Sequence, residues 1–252
     1  MADPPFFSAP PTAKGDDLPD DLPADARARA GRTKRGRTRR ALLSAARVAF
    51  ASTGWSGTRL EDIARQAGVS VASTYNHFPT KHGLVANVFA PVLAPRLDRP
   101  KELLDAGHPV PEVLERHVRD LAELIRAESP LTVAFTSAVA EYTAKIGGPP
   151  DPSDHDDPRV IAPVAAMVIE LVARGQANGD FRPYPPAHDI AGQAVNLLLL
   201  RGFTRTETPA AGAEVILTML FGTLKPETLL DTGFTGRPFA ASGSDDAPDH
   251  TR

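Results

Sequence analysis

Five consecutive residues can donate and accept hydrogen bonds: Ser73, Thr74, Tyr75, Asn76 and His77. Hydroxyl, amide and imidazole groups suit the recognition of base edges in DNA, and an asparagine such as Asn76 pairs bidentately with adenine. A helix buried in a protein core would not carry so many polar groups in a row. The run therefore indicates a helix that lies in the DNA major groove.

A short helix and a tight turn are predicted just before this polar run. Thr58 followed by Glu61 has the spacing of a capping box, so we expect a helix to start just after Thr58. Its buried face repeats at helical spacing and consists of Leu60, Ile63 and Ala64. Gly68 stands where the chain must turn, because glycine adopts a positive φ without steric cost.

The polar run itself reads as a second short helix. Val69 can pack inward, and Ser70 is a good N-cap for that helix. Phe78 is expected to anchor the end of the helix in the core, and Pro79 to stop it. The whole stretch 58–81 thus predicts a helix-turn-helix with a polar second helix.

Two further helices are predicted around this unit. The first spans about 38–52, and its apolar stripe consists of Leu42, Leu43, Ala46, Ala49 and Phe50. Gly54 is expected to end it, and Trp55 to pack between helices rather than to bind a ligand. The second begins near residues 80–81 and is expected to kink or end at its prolines, Pro91 and Pro95.

Charge is distributed unevenly along the 252 residues, although the net charge is only −3. Residues 26–97 contain thirteen Lys or Arg and two acidic residues, a net charge of +11. The rest of the chain contains fifteen Lys or Arg and twenty-nine acidic residues, a net charge of −14. A basic region beside a polar helix suits a domain that binds a polyanion.

Composition excludes several classes of protein. The chain is 42% hydrophobic and 23% charged, as in an ordinary globular protein, and it has no cysteine for a disulfide, a thiol nucleophile or a zinc–thiolate site. No run of about eighteen apolar residues and no secretory signal are present, so we expect a cytoplasmic protein.

Nucleotide-binding loops, a nucleophile elbow and an H-E-x-x-H pair are also absent. We therefore expect no enzyme activity, cofactor or metal, and we interpret residues 154–157 (Asp-His-Asp-Asp) as a solvated loop. His117, in a charged turn, is expected to be exposed.

The rest of the chain predicts an all-α fold. Apolar stretches separated by proline and glycine give five candidate helices, at 111–127, 130–146, 159–178, 187–203 and 209–224. Alternating β-type patterns are absent. Four segments follow from this organisation: a disordered arm at 1–36, a DNA-binding domain at 37–90, a helical effector-binding and dimerisation domain at 91–230, and a disordered tail at 231–252.

The arm has two halves of opposite charge, acidic and then basic. It contains six prolines before Ala24 and no apolar periodicity, which is typical of disorder. The basic half either follows the DNA backbone or minor groove or acts only as a solubilising tail, and both alternatives remain open.

These motifs resemble the tetracycline-repressor (TetR) family of transcriptional regulators. The similarity is carried by Thr-Arg-Leu-Glu-Asp-Ile-Ala-Arg-Gln-Ala-Gly-Val-Ser at 58–70, Thr-Tyr-Asn-His-Phe-Pro-Thr-Lys at 74–81 and the Gly-Trp pair at 54–55. The resemblance implies a homodimer in which each subunit has an N-terminal three-helix DNA-binding domain and a C-terminal helical ligand-binding domain. It places at or near the major groove Ser70, Val71, Ala72, Ser73, Tyr75, Asn76 and His77. It gives phosphate contacts to Thr38, Thr58 and Lys81. We also count Arg59 among the candidate DNA-binding residues.

The C-terminal helices resemble the dimer bundle of that family. The segments 187–203 and 209–224 are apolar nearly all round, so they must be buried on several sides. Burial against a second subunit is the simplest arrangement, and an intrachain core is the alternative. The resemblance also implies an unidentified small-molecule effector, for which the candidate contacts are Phe135, Tyr142, Met167 and Asn196.

The sequence therefore predicts a sequence-specific DNA-binding regulator, acting as a ligand-responsive repressor on a palindromic operator. An activator of the same fold would share every DNA-binding feature. A nonspecific helical DNA binder would show salt dependence without sequence preference.

Overall fold

The computed structural model describes residues 24–204 and 208–225. These residues form ten helices and no strand, which confirms the all-α prediction. The helices are α1 (Ala24–Gly57), α2 (Leu60–Ala67), α3 (Val71–His77), α4 (Lys81–Asp105), α5 (Val110–Ala127), α6 (Ser129–Ile146), α7 (Pro158–Ile161), α8 (Ala166–Asn178), α9 (Ala187–Thr204) and α10 (Pro209–Leu224). None of the described helices is long and apolar enough to cross a lipid bilayer.

The first four helices pack around a shared apolar centre. Leu42 and Phe50 of α1 are fully buried, as are Ile63 of α2 and Leu84 of α4. Trp55 is also buried, as predicted, and its ring stacks on that of Phe50 with centroids 6.1 Å apart. This core holds α2 and α3 in a fixed orientation relative to α1.

Helix α1 begins earlier than predicted. It starts at Ala24 rather than near 38, so residues 24–36, which we predicted to lie in a disordered arm, are helical. Alanine and arginine alternate over 26–30, and both are strong helix formers, so helix propensity outweighs the missing apolar stripe in that part of α1. The rest of the predicted arm and the predicted tail at 231–252 lie outside the described residues.

Helix α2 is not started by the capping box. Its N-cap is Arg59, whose side chain makes no capping bond. Thr58 is instead buried, and its hydroxyl donates to the Gly54 carbonyl at 2.7 Å. The capping-box prediction was wrong because the helix starts one residue later, which leaves Thr58 folded against the end of α1.

Helix α4 continues through its prolines. We predicted a kink or an end at Pro91 and Pro95; the helix does not end there but runs on to Asp105, through a third, buried proline, Pro100. Pro91 and Pro95 lie on the exposed side of α4, where water can satisfy the carbonyls that they leave free. Buried Phe89 and Leu93 on the opposite side pack into the core and hold the helix together.

The remaining helices form the larger C-terminal part of the fold. Four of the five predicted segments match α5, α6, α9 and α10 to within about one residue. The predicted helix 159–178 was wrong as a single element, because it divides into α7 and α8 around Pro163. Proline lacks the N–H that a continuous helix would need there.

His117 of α5 is buried, not exposed as we expected. Only 1% of its surface is accessible, because it faces the core side of a helix whose other face carries the charged residues. Burial lowers the pKa of His117 to about 4, so the imidazole is neutral at physiological pH.

Candidate nucleic-acid interface

The turn between α2 and α3 has the geometry that the sequence predicts. Gly68 adopts the left-handed conformation with φ 66° and ψ 31°, and it follows the last residue of α2. Ser70 then caps α3, because its hydroxyl accepts a hydrogen bond from the Ser73 N–H at 3.2 Å. These two residues set the direction in which α3 leaves the turn.

One side of α3 is fixed in the core. Thr74 is fully buried, and its hydroxyl donates to the Ser70 carbonyl at 3.1 Å. Phe78 follows the helix and is only 2% exposed, as predicted. With these anchors in place, the rest of the helix surface faces outward.

The outward side of α3 carries the predicted DNA-reading residues. Val71 and Tyr75 are 43% and 42% exposed, and Ala72 and Asn76 are exposed beside them. Residues four apart lie on the same face of a helix, so these two pairs form one continuous surface. The Asn76 amide on this surface can pair with adenine, and the small apolar side chains of Val71 and Ala72 can contact thymine methyl groups.

The Tyr75 hydroxyl is already positioned by the protein. It donates to Glu61 Oε1 at 3.0 Å, which connects α3 to α2. This hydrogen bond raises the pKa of Tyr75. Because a carboxylate would repel DNA phosphates, we interpret Glu61 as a residue that orients Tyr75 rather than one that contacts the backbone.

The Lys81 side chain binds the end of α1 and the residue that follows it. Its ammonium donates to the Trp55 carbonyl at 2.9 Å and the Thr58 carbonyl at 3.2 Å, and it lies 3.9 Å from the Trp55 ring centroid. Desolvation lowers the pKa of Lys81. These contacts close the end of α1, and the phosphate contacts that the family resemblance implied for Lys81 and the buried Thr58 stay a prediction.

Two arginines of α1, absent from our predicted site, lie beside the end of α3. Arg39 donates to Asn87 Oδ1 at 2.6 Å, and its guanidinium lies 4.5 Å from the Phe78 ring centroid. The pKa of His77 is lowered by burial and then by the positive charges of Arg35 and Arg39. The basic run preceding the helix-turn-helix was the signal that could have identified them. Of the other predicted positions in this region, Thr38 is half-buried and Arg59 is exposed.

A polar junction joins this domain to α6. Glu141 accepts a hydrogen bond from Trp55 Nε1 at 2.7 Å, and its second oxygen lies 3.2 Å from His82 Nε2. The His82 ring contacts that of Tyr142 with centroids 5.3 Å apart. The Tyr142 hydroxyl donates to Asp154, which raises the pKa of Tyr142 to about 12.

The four candidate effector contacts occupy separate environments. Tyr142 belongs to the junction just described, and Phe135 stacks on Phe89 with centroids 4.5 Å apart. Met167 is buried in α8, whereas Asn196 is exposed on α9. The structure therefore does not bring these residues together as the wall of one pocket.

The acidic loop at 154–157 is structural and not simply solvated as we expected. Asp157 is buried, caps α7 and pairs with Arg159 at 2.7 Å. Within residues 24–204 and 208–225, no cluster of three or more His, Asp or Glu residues has the geometry to hold a metal ion.

Comparisons with known proteins identify the helix-turn-helix region. Residues 42–88 match the family model described as bacterial regulatory proteins, tetR family. A stretch of 55 residues, 22% of this chain, is 44% identical to the HTH-type transcriptional regulator RutR of Escherichia coli (strain K12) and covers 26% of that protein. The chain therefore aligns with only about a quarter of the length of the curated relatives it matches.

Solved structures extend the similarity in fold to about three quarters of the chain. Thermus thermophilus FadR, described as a TetR family transcriptional repressor in complex with lauroyl-CoA, aligns with a TM-score of 0.58 and 23% identity, covering 76% of this chain and 97% of that one. The fatty acid degradation regulator FadR of Bacillus halodurans aligns with a TM-score of 0.55 and 17% identity, covering 73% and 94%. Residues 42–88 thus match the DNA-binding region of the tetR family, and the chain shares the fold of TetR-family regulators.

Proposed function

We propose that this protein is a sequence-specific repressor of transcription that binds a palindromic operator as a homodimer. The observation that carries the proposal is the outward face of α3, where Asn76 and Tyr75 stand exposed on a helix whose opposite side is buried. A rigid helix of this kind presents hydrogen-bonding groups to base edges without first having to fold.

An exposed apolar surface on α9 and α10 supports the homodimer. Among the described residues, ten large apolar side chains are exposed, and five of them lie on these two helices: Leu197, Leu200, Phe203, Val215 and Met219. Exposed apolar side chains concentrated in one place mark an interaction surface. A second copy of the chain fits it best, because a two-fold dimer presents two recognition helices to two half-sites.

A small-molecule effector is part of the proposal. Thermus thermophilus FadR binds lauroyl-CoA, and the same fold offers a helical C-terminal domain here. A ligand that prefers one of two dimer arrangements shifts the population toward it by its differential affinity. The junction of Trp55, His82 and Glu141 is one of the contacts through which we propose that a shift of α6 reaches the DNA-binding domain.

The repressor assignment predicts lower expression from a promoter that contains the operator. A reporter gene in a bacterial host is placed under a promoter overlapping the duplex that the purified protein selects. Expression is expected to fall when the wild-type chain is produced, and to stay unchanged with Asn76→Ala. Higher expression with the wild-type chain would identify an activator of the same fold and contradict the repressor assignment.

A further inference from the structure

We propose that the N-terminal part of α1, over residues 31–40, is a second DNA-binding element that contacts phosphates outside the groove occupied by α3. The inference rests on the proposed function, because it adds an electrostatic contact to the same complex. Its partner is the sugar–phosphate backbone of the duplex that flanks each half-site.

Residues 31–40 carry a concentrated positive charge, and no acidic residue follows in the rest of α1 to neutralise it. Five basic side chains there are exposed: Arg32, Lys34, Arg35, Arg37 and Arg40. No acidic residue occurs between positions 26 and 60. None of the five forms an ion pair with another described residue, whereas Arg47 further along α1 pairs with Glu128 at 2.8 Å. The segment is thus free to neutralise an external polyanion.

The position of the segment brings this charge to the DNA-reading surface. Arg39 anchors α1 on Phe78, the residue that directly follows α3. From Thr38 back to Ala24 the helix continues for about 20 Å, given a rise of about 1.5 Å per residue. A duplex carries a phosphate charge for about every 1.7 Å of its axis, so a basic helix of this length can neutralise several phosphates.

The segment is poorly stabilised without such a partner. Gly31 and Gly36 lie inside the helix, and glycine is the least favourable helix former after proline. Arg32 with Arg35, and Arg37 with Arg40, are like-charge pairs three residues apart, which repel each other on a helix. Phosphates remove this repulsion, so DNA binding is expected to stabilise the helix.

The first test compares two variants of the full chain that lose the same charge. One is Arg32→Gln/Lys34→Gln/Arg37→Gln/Arg40→Gln, and the control neutralises four exposed cations outside the DNA-binding domain: Lys101, Arg116, Lys145 and Arg174. Binding to the selected duplex is measured by fluorescence anisotropy over a series of salt concentrations. Each phosphate contact that is lost makes the slope of log K against log salt shallower by about 0.9.

We expect the slope of the α1 variant to become shallower by about 4 to 7, because four cations are lost from each of two subunits, with the preferred base sequence unchanged. The control variant should keep the wild-type slope. Specific wild-type binding with an unchanged slope in the α1 variant would overturn this inference and leave the proposed function intact. Absence of specific binding by the wild-type chain would instead remove the proposed function and the inference together.

A second variant tests whether the segment binds as a helix. A Cβ added at Gly31 or at Gly36 meets no atom within 4 Å, so Gly31→Ala/Gly36→Ala strengthens the helix without a clash. We expect affinity for the selected duplex to rise two- to tenfold, because less conformational entropy is lost on binding. A fall in affinity would show that the segment binds in an extended form and would overturn the helical contact.

Discussion

Asn76→Ala is expected to weaken binding to the preferred palindromic duplex by about thirtyfold or more. A bidentate contact between an amide and a base discriminates by about 1–3 kcal/mol, and a dimer on two half-sites would lose two such contacts, because Asn76 is exposed on the outward face of α3. The variant should fold normally, because the core side of α3 is formed by Thr74 and Phe78. Fluorescence anisotropy at near-physiological salt measures the loss.

The pattern of the loss separates base reading from general electrostatics. Binding to unrelated duplexes should stay unchanged, and the sequence preference should relax at one position in each half-site. Asn178→Ala replaces another exposed asparagine, at the end of α8, and serves as the matched control. An equal loss on every duplex would contradict a base contact by Asn76.

If the proposed dimer forms through α9 and α10, Leu200→Glu/Met219→Glu is expected to convert it into a monomer and to reduce affinity for a palindromic duplex more than a hundredfold. Leu200 and Met219 are 56% and 46% exposed, on α9 and α10. Glutamates there would place unpaired charge in an apolar interface, which is strongly unfavourable. Losing one subunit removes the contribution of a second half-site to binding.

Sedimentation velocity gives the oligomeric state against the subunit mass of 26.8 kDa. The control is Ile146→Glu, which places one glutamate at a position that is 54% exposed at the end of α6. It should stay dimeric and bind the palindrome normally. A double glutamate variant that remains dimeric with full affinity would show that α9 and α10 do not form the dimer surface.

Local sequence rules predicted the elements that depend on local interactions. Gly68 at the turn and Ser70 at the N-cap were correct because a positive φ and a capping hydroxyl are properties of a few neighbouring residues. Phe78 and Trp55 were placed correctly because large aromatic residues between helices are usually buried.

The errors arose where distant residues decide the outcome. Thr58 fitted a capping box, but the end of α1 provides it with a different partner, the Gly54 carbonyl. His117 lay in a charged stretch of sequence, yet its position on the α5 face turns it into the core. The candidate effector contacts were chosen by residue type and stay a prediction, since only helix packing between distant parts of the chain stacks Phe135 on Phe89.

Selection of bound sequences from random duplex DNA tests the central claim most directly. The purified full chain is incubated with the pool at near-physiological salt, and the bound fraction is sequenced. We expect an enriched palindrome whose half-sites lie about 34 Å apart, one helical turn, or a multiple of it, because each subunit of a dimer presents one α3 helix. Binding without enrichment, lost as salt rises, would contradict sequence-specific regulation and indicate a nonspecific DNA binder.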